Sequence, residues 1–434
     1  MSLTIAIIGS GPSGFYLAEI LSRKLPESWI DIIERLPVPY GLVRAGVAPD
    51  HIGTKNTIRQ FERTLNNERI RFIGNLELGK DLSYEELKSN YDRVILATGA
   101  YKDRKLNIPG TDCEGIFGSA QFTGWYNGHP DHAGLSPELS GRTAVIIGNG
   151  NVALDIARIL AKTEQELIEA DIPAHARNTL THTHFSDIWI VGRRGPAEAS
   201  FTPYELEELG QLHQCTPLTN DDIPDTPSEN TDPREARSKQ KNLEVLQSFA
   251  TNKADKPVRL HFLFNHTPVR VISAQGRINE LEFQSTDQSE DGENLRLPTD
   301  ILITAIGYHS EMIPGIPWDT EKNTIKNQDG YVEPGVYTSG WCKRGPNGVI
   351  PANKADALSV AKRLLADLEE QAVTDSRPGP EALDKLIKER GIPIISKADW
   401  FRIDQEEIAR ADSTRPREKF ISLDEIHSFL QSVS

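Results

Sequence analysis

Apolar runs too short for helices recur along the chain, at residues 3–8, 29–33, 94–97, 143–147, 188–191 and 301–305. Unbroken runs of this length predict strands buried on both faces, because neither side of such a strand meets water. Between several of them the apolar positions fall into a helical period, at 15–24, 55–65, 152–161 and 203–213. Strand and helix in alternation, joined by short glycine-rich turns, predict an α/β protein built on parallel sheets. One unit occurs twice: a strand, a glycine-rich turn and a helix, at the start of the chain and again near residue 145.

Two stretches break the pattern. Residues 216–256 are rich in Asp, Pro, Ser, Asn and Lys and predict a surface insertion or mobile connection with one helix near 242–249. Ser376-Arg-Pro-Gly-Pro380 stops a helix predicted over 355–370, and residues 376–434 read as a polar C-terminal extension with short helices.

Composition narrows the chemistry. Lys plus Arg number 48 against 63 Asp plus Glu, a net charge of −15, which disfavours nucleic acid as the main partner. No apolar run reaches the ~18–20 residues of a spanning helix, and a strand pattern starting at Leu3 leaves no room for a signal peptide, so a cytoplasmic protein is expected. The three cysteines, Cys113, Cys215 and Cys342, form no Cys-x-x-Cys, which disfavours a disulfide framework, a cysteine-rich metal centre and a redox-active dithiol. His175, His182 and His184 lack the accompanying ligand spacing, and no metal is expected. Redox chemistry, if present, belongs to a bound organic cofactor.

The first glycine turn supplies one. Gly9, Gly11 and Gly14 have G-x-G-x-x-G spacing directly after a strand, where the glycines allow a tight turn, close approach of a diphosphate and close helix packing. Glu34 ends the next strand, where a carboxylate accepts hydrogen bonds from ribose hydroxyls and repels a 2′-phosphate. This loop suits FAD or NAD better than NADP. The second turn has Gly148, Gly150 and Ala153 at G-x-G-x-x-A spacing, and its following strand runs into Gly192-Arg193-Arg194-Gly195. Two guanidiniums match a 2′-phosphate in charge and fork geometry, so this loop predicts NADP(H). Two unlike dinucleotide sites in one chain imply a flavin reductase.

Longer segments carry a specific resemblance. Pro39-Tyr-Gly-Leu-Val-Arg-Ala-Gly-Val-Ala-Pro-Asp-His51, Gly124-Trp-Tyr-Asn-Gly128, Gly148-Asn-Gly-Asn-Val-Ala-Leu-Asp155, Val191-Gly-Arg-Arg-Gly-Pro196 and Gly340-Trp-Cys-Lys-Arg-Gly-Pro-Asn-Gly-Val-Ile350 resemble the adrenodoxin reductase family of ferredoxin–NADP⁺ reductases, bacterial branch. The resemblance implies two Rossmann-like domains, with the NADP domain (106–330) inserted into an FAD domain made of 1–105 and 331–375. It implies that Gly9, Gly11, Ser13, Gly14, Glu34, Leu42, Leu78, Trp341, Gly348, Val349 and Ile350 contact FAD. It implies that Asn149, Gly150, Asn151, Val152, Arg193, Arg194 and Glu205 contact NADP. His51, Glu205 and Asp155 are the expected catalytic group: an imidazole to balance charge on the reduced cofactor, a carboxylate to fix the carboxamide, and a helix carboxylate for proton transfer.

The implied partner is a ferredoxin-like iron–sulfur protein taking single electrons. Mitochondrial members are expected to dock it through basic residues on the helix after Phe201-Thr202, yet that segment here carries Glu205, Glu207 and Glu208. Lys55, Arg59 and Arg63, spaced four apart on one predicted helical face, together with Lys343-Arg344, are the expected substitute. Two other readings compete with this one. A glutamate synthase small-subunit type of reductase subunit is disfavoured by the missing cysteine-rich segment, and a non-catalytic flavoprotein by the intact Arg193-Arg194 site and Gly348 turn.

Overall fold

The computed structural model describes residues 3–132, 134–219, 222–228, 232–287, 294–348, 350–370 and 376–433. Two main sheets organise them. The first has the strand order Tyr331–Glu333, Val336–Thr338, Arg93–Leu96, Thr4–Ile8, Trp29–Ile33, Ile70–Gly74 and Ile395–Ser396. Its five central strands are parallel, with Ile5 opposite both Ile30 and Arg93, and an antiparallel strand closes each edge. The second runs Ile116–Gly118, Ile301–Thr304, Thr143–Ile147, Asp187–Val191, Val258–Leu263 and Cys215–Thr219, parallel throughout. The unbroken apolar strands follow from this, since Thr4–Ile8 is buried at every position.

Each sheet anchors a lobe with its own core, one around Phe15, Phe61, Phe72 and Trp400, the other around Phe122, Trp125, Leu154 and Phe262. The aromatic pair Trp125 and Tyr126 thus lies inside the second core, where Trp125 meets His175 edge-on. The chain passes between lobes twice, at Lys102–Asp103 and Tyr308–His309, and these crossings pair antiparallel. In both sheets the strand before a glycine turn has its sequence neighbour on one side and a later strand on the other. That is the switch point at which an α/β sheet opens a crevice for ligands.

Three expectations are corrected. The helix expected over 55–65 is two, Ile52–Lys55 and Ile58–Leu65, broken between them. Residues 216–256 are not wholly a surface insertion or mobile connection. Cys215–Thr219 is a strand of the second sheet, and the helix Pro233–Ala250 extends well beyond 242–249 and buries Leu243, Leu246 and Phe249. The helix after Phe201-Thr202 stops at Leu209 rather than 213.

The C-terminal extension is integral to the first lobe. Ile395 extends the sheet, Trp400 and Ile403 enter its core, and the Trp400 indole N–H donates to the Tyr40 hydroxyl at 3.1 Å. Arg44 and Glu407 form a bidentate pair at 2.9 and 2.5 Å with both side chains buried. Removing one partner of such a pair leaves an uncompensated buried charge. Glu407→Gln is therefore expected to lower stability by about 3–5 kcal/mol in chemical denaturation. A loss below about 1 kcal/mol would show that the pair is not desolvated as described.

Candidate functional site

Gly9 ends the central strand of the first sheet with φ +105°, and a Cβ there would lie 2.4 Å from the Ala97 carbonyl oxygen. A Cβ on Gly14 would lie 2.1 Å from the Gly9 oxygen, whereas Gly11 faces open space at the N-terminus of the helix Pro12–Lys24. The turn is thus a crowded bend with one open amide-bearing position, the shape a diphosphate requires. Ser10 donates to Glu34 through both its amide and its hydroxyl, at 2.9 and 2.8 Å, and the Leu36 amide donates to the other oxygen at 2.9 Å. These bonds hold the carboxylate beside the turn.

Around this loop, Gly41 (φ +49°) brings its own backbone over Gly11, placing Leu42 at the start of a short helix beside it. Ser13 is buried against Gly340, where a Cβ would lie 2.2 Å from the Ser13 hydroxyl. The indole N–H of Trp341 is buried without a hydrogen-bond partner among the described residues, as a cofactor-facing group would be. Asp356, in the helix Ile350–Glu370, accepts from the Ser339 hydroxyl and the Gly340 amide at 2.9 and 2.6 Å, so its carboxylate orders this turn. Leu78 is buried in the core on the far side of the sheet from Phe15. Gly348 has φ +82° and is exposed, while Val349 lies outside the described residues.

The second loop repeats the geometry. Gly148 has φ +137°, with a Cβ position 2.2 Å from the Ala305 oxygen, and Gly150 caps the helix Asn151–Ala161 with only the Ser200 hydroxyl near. Asn151 is tied to Thr202, accepting from its amide at 2.8 Å, and Val152 packs against the core. The Asn149 side chain lies over Gly192, at 1.7 Å from where a Cβ would be, and both its amide atoms are buried without partners among the described residues. Arg193 and Arg194 follow, exposed and held in no ion pair among the described residues. An orphaned amide beside two free guanidiniums fits a phosphorylated ribose.

Between the loops the structure brings the three expected catalytic residues together around one that the sequence pattern did not single out. Arg158, almost wholly buried, donates to Asp50 through Nε and Nη2 at 2.8 and 2.9 Å and lies 2.8 Å from Asp155, 3.2 Å from Glu208 and 3.4 Å from Glu205. His51 Nε2 is 2.9 Å from Glu208 and 3.5 Å from Glu205, and its Nδ1 is 4.0 Å from Asp155. Exposed Tyr204 stands over the imidazole with ring centroids 6.4 Å apart. The signal for Arg158 was an arginine on the apolar face of its helix, among Leu154, Ala157 and Ala161.

Four carboxylates thus surround one guanidinium, Lys162 (2.7 Å from Asp50) and His51. Negative charge is in excess, and protons are retained. Burial disfavours the imidazolium, but the Glu208 hydrogen bond and the Asp155 and Asp50 charges outweigh it, so the His51 pKa is raised. Burial, then the Asp155 carboxylate, pushes Glu205 up to about 7 against the pull of His51 and Arg158. Glu208, although burial alone would raise it, is held low by the His51 hydrogen bond and Arg158. The ligand atoms of His51, Glu205 and Glu208 lie within 4.8 Å of one another, but the cation already placed among them is Arg158.

A carboxyl with a raised pKa in the fold keeps its proton while the unfolded chain loses it. Stability therefore falls as pH rises from the usual glutamate value, roughly 4.3, to about 7. Glu205→Gln removes this penalty, so the variant's Tm should exceed the wild type's by more at about pH 8 than at about pH 5. Equal offsets at both would contradict the raised pKa.

The docking expectation is corrected at Lys55. It is buried, donating to Arg44 O and Asn127 Oδ1 and pairing with Asp171, so it presents no charge to a partner. Arg59 and Arg63 are exposed, while Lys343 is paired with Asp356 at 2.7 Å and Arg344 donates to Asn353. The basic charge missing from Pro203–Leu209 appears on its neighbour: the helix Pro233–Ala250 packs along it and exposes Arg237 and Lys241.

This pair of glycine-turn sheets defines a class, and residues 3–182 match the family model described as pyridine nucleotide-disulphide oxidoreductase. The chain is 38% identical to human mitochondrial NADPH:adrenodoxin oxidoreductase, covering 97% of this chain and 91% of the relative, and 38% identical to the Mycobacterium tuberculosis NADPH-ferredoxin reductase FprA, covering 97% and 98%. It superposes on M. tuberculosis FprA in complex with NADPH with a TM-score of 0.90 and 37% identity, over 98% of this chain and 99% of that one. The chain belongs to the adrenodoxin reductase family. Lactococcus lactis thioredoxin reductase, at TM-score 0.52 and 15% identity, shares the fold alone.

Proposed function

We propose that the protein oxidises NADPH and passes electrons singly to a ferredoxin-type iron–sulfur protein, with FAD as its resident cofactor. The observation that carries this is the opposite ribose chemistry of the two glycine turns, Glu34 held at one and Arg193 and Arg194, free of ion pairs among the described residues, at the other. When bound, FAD accepts a hydride from NADPH and releases electrons one at a time. The first lobe would hold FAD through Gly9, Gly11, Ser13, Gly14 and Glu34, with Leu42, Leu78, Trp341, Gly348 and Ile350 as further contacts. The second, residues 106–330, holds NADP(H) through Asn149 to Val152, Arg193 and Arg194.

The residues between the lobes hold protons rather than take part in bond breaking. The Glu208 hydrogen bond and the Asp155 charge raise the His51 pKa against burial, Glu205 is pushed up to about 7, and Arg158 fixes the Glu205 and Glu208 carboxylates in place. A protonated Glu205 donates a hydrogen bond where an ionised one only accepts. The three cysteines are free thiols, fitting a reducing, cytoplasmic setting, and no described helix is long and apolar enough to cross a membrane.

The direct test is anaerobic addition of NADPH and of NADH to the purified yellow protein, followed by ferredoxin-dependent cytochrome c reduction. Bleaching by NADPH alone, and activity that requires ferredoxin, is expected. Absence of bleaching would overturn the assignment. The exposed pairs Arg59 with Arg63, and Arg237 with Lys241, are assigned to docking. Reversing either pair to Glu should raise the KM for ferredoxin about threefold to tenfold at low salt, with the difference shrinking as salt screens it. An unchanged KM removes that pair from the surface.

A further inference from the structure

The segment 415–421 lies between the lobes, and its contacts go to both. On the first-lobe side, the Phe420 amide donates to Glu407 Oε1 at 3.0 Å and the Glu418 amide to Glu407 O at 2.7 Å. On the other, Glu418 Oε1 accepts from the Ala174 amide at 2.8 Å, at the start of the second-lobe helix Ala174–Leu180. Lys419, almost wholly buried, donates to Asn127 O at 3.1 Å and Asp171 O at 3.2 Å, and pairs with Asp171 Oδ2 at 2.7 Å. Lys55, from the first lobe, reaches the same Asp171 Oδ2 at 3.2 Å and also donates to Asn127 Oδ1 and Arg44 O, each at 2.9 Å.

Each ammonium therefore has three acceptors for three donors. Two buried lysines share one carboxylate, with Arg44 and Arg417 nearby and Glu407 and Asp404 as the other anions. Burying such an excess of cations is a poor route to stability, but it is selective for geometry. An apolar interface tolerates sliding, whereas a saturated ammonium loses bonds in any other arrangement and becomes a buried unpaired charge. Asp50 with Arg158 and Lys162, and the Asp171 amide donating to Pro49 O at 2.9 Å, span the same junction.

We propose that residues 415–421 are an interlobe strap and that Lys419 is a positioning residue, fixing the angle between the two glycine turns so that hydride transfer needs no lobe rotation. The hydride-transfer part rests on the function proposed above. The test uses the holoenzyme. Lys419→Met should retain flavin content, and its NADP⁺ Kd should stay within twofold of the wild type. Its flavin reduction at saturating NADPH, followed by stopped flow, should slow at least tenfold. Hydrogen exchange should accelerate at the Asp171 and Ala174 amides.

Lys397→Met is the control. Lys397 also makes three bonds, to Leu65 O, Asn67 O and Ile70 O, but all lie within the first lobe. It should lower Tm and leave flavin reduction unchanged. Glu418→Ala, which strands no buried ammonium, serves if Lys419→Met does not fold, with reduction about threefold slower. Wild-type reduction in Lys419→Met, or equal slowing in Lys397→Met, overturns the strap. If the wild type itself is not bleached by NADPH, the proposed function fails and exchange alone judges the strap. Faster exchange at Asp171 and Ala174 in Lys419→Met but not in Lys397→Met supports it, and unchanged exchange in both overturns it.

Discussion

Replacing Arg193 and Arg194 together by Ala should raise the KM for NADPH roughly a hundredfold to a thousandfold while leaving that for NADH nearly unchanged. Each guanidinium is exposed and free of ion pairs among the described residues, so neither has another structural task there. A charge-assisted hydrogen bond contributes about 1.5–3 kcal/mol, and two of them, discounted for exposure, about 3–4 kcal/mol. At 1.4 kcal/mol per tenfold, that is the stated range. Because the loss falls on a contact distant from the reacting carbon, it should appear in KM with kcat little changed. Steady-state kinetics with both nucleotides checks it, and equal losses for NADPH and NADH would remove the 2′-phosphate role.

Gly14→Val should yield a colourless protein. A Cβ at this position would lie 2.1 Å from the Gly9 carbonyl oxygen, and that atom belongs to backbone that cannot rotate aside. The helix must move off the strand, at a cost of about 1–3 kcal/mol in packing, and the amides of its first turn move with it. Lost stability is thus coupled to a lost anion site. The absorbance ratio of bound flavin to protein, with a thermal melt, measures both. A folded, fully yellow variant would show that the turn does not cradle the cofactor.

What could be seen in the sequence divides along physical lines. Strands such as Thr4–Ile8 and Thr143–Ile147 were legible because burial on both faces writes an unbroken apolar run. The glycine turns were legible because their spacing is set by backbone geometry within ten residues. Lys55 was misplaced because spacing by fours implies one face only if the helix is continuous, and the break before Ile58 turns it inward. Its acceptors, Asn127 and Asp171, lie far away in sequence, so no local pattern reports them. Arg158 was hidden likewise, since its carboxylates come from three separate segments. The tail looked polar because its few core residues, Trp400 and Ile403 among them, are diluted by the charges that lock it in place.

The antiparallel strip at which Lys102–Asp103 meets Tyr308–His309 makes the second lobe a closed excursion, leaving and re-entering the first at one spot. On the ribosome, this dictates an order of events. The opening strands emerge first, yet their sheet gains Val336–Thr338 only after the whole excursion has been made, and Ile395–Ser396 later still. The second lobe, whose strands all lie between Ile116 and Thr304, is complete long before that. The inner lobe therefore has every strand of its sheet available before the outer one does. The N-terminal hundred residues wait with unpaired strand edges, the stage at which the nascent chain is most exposed to aggregation.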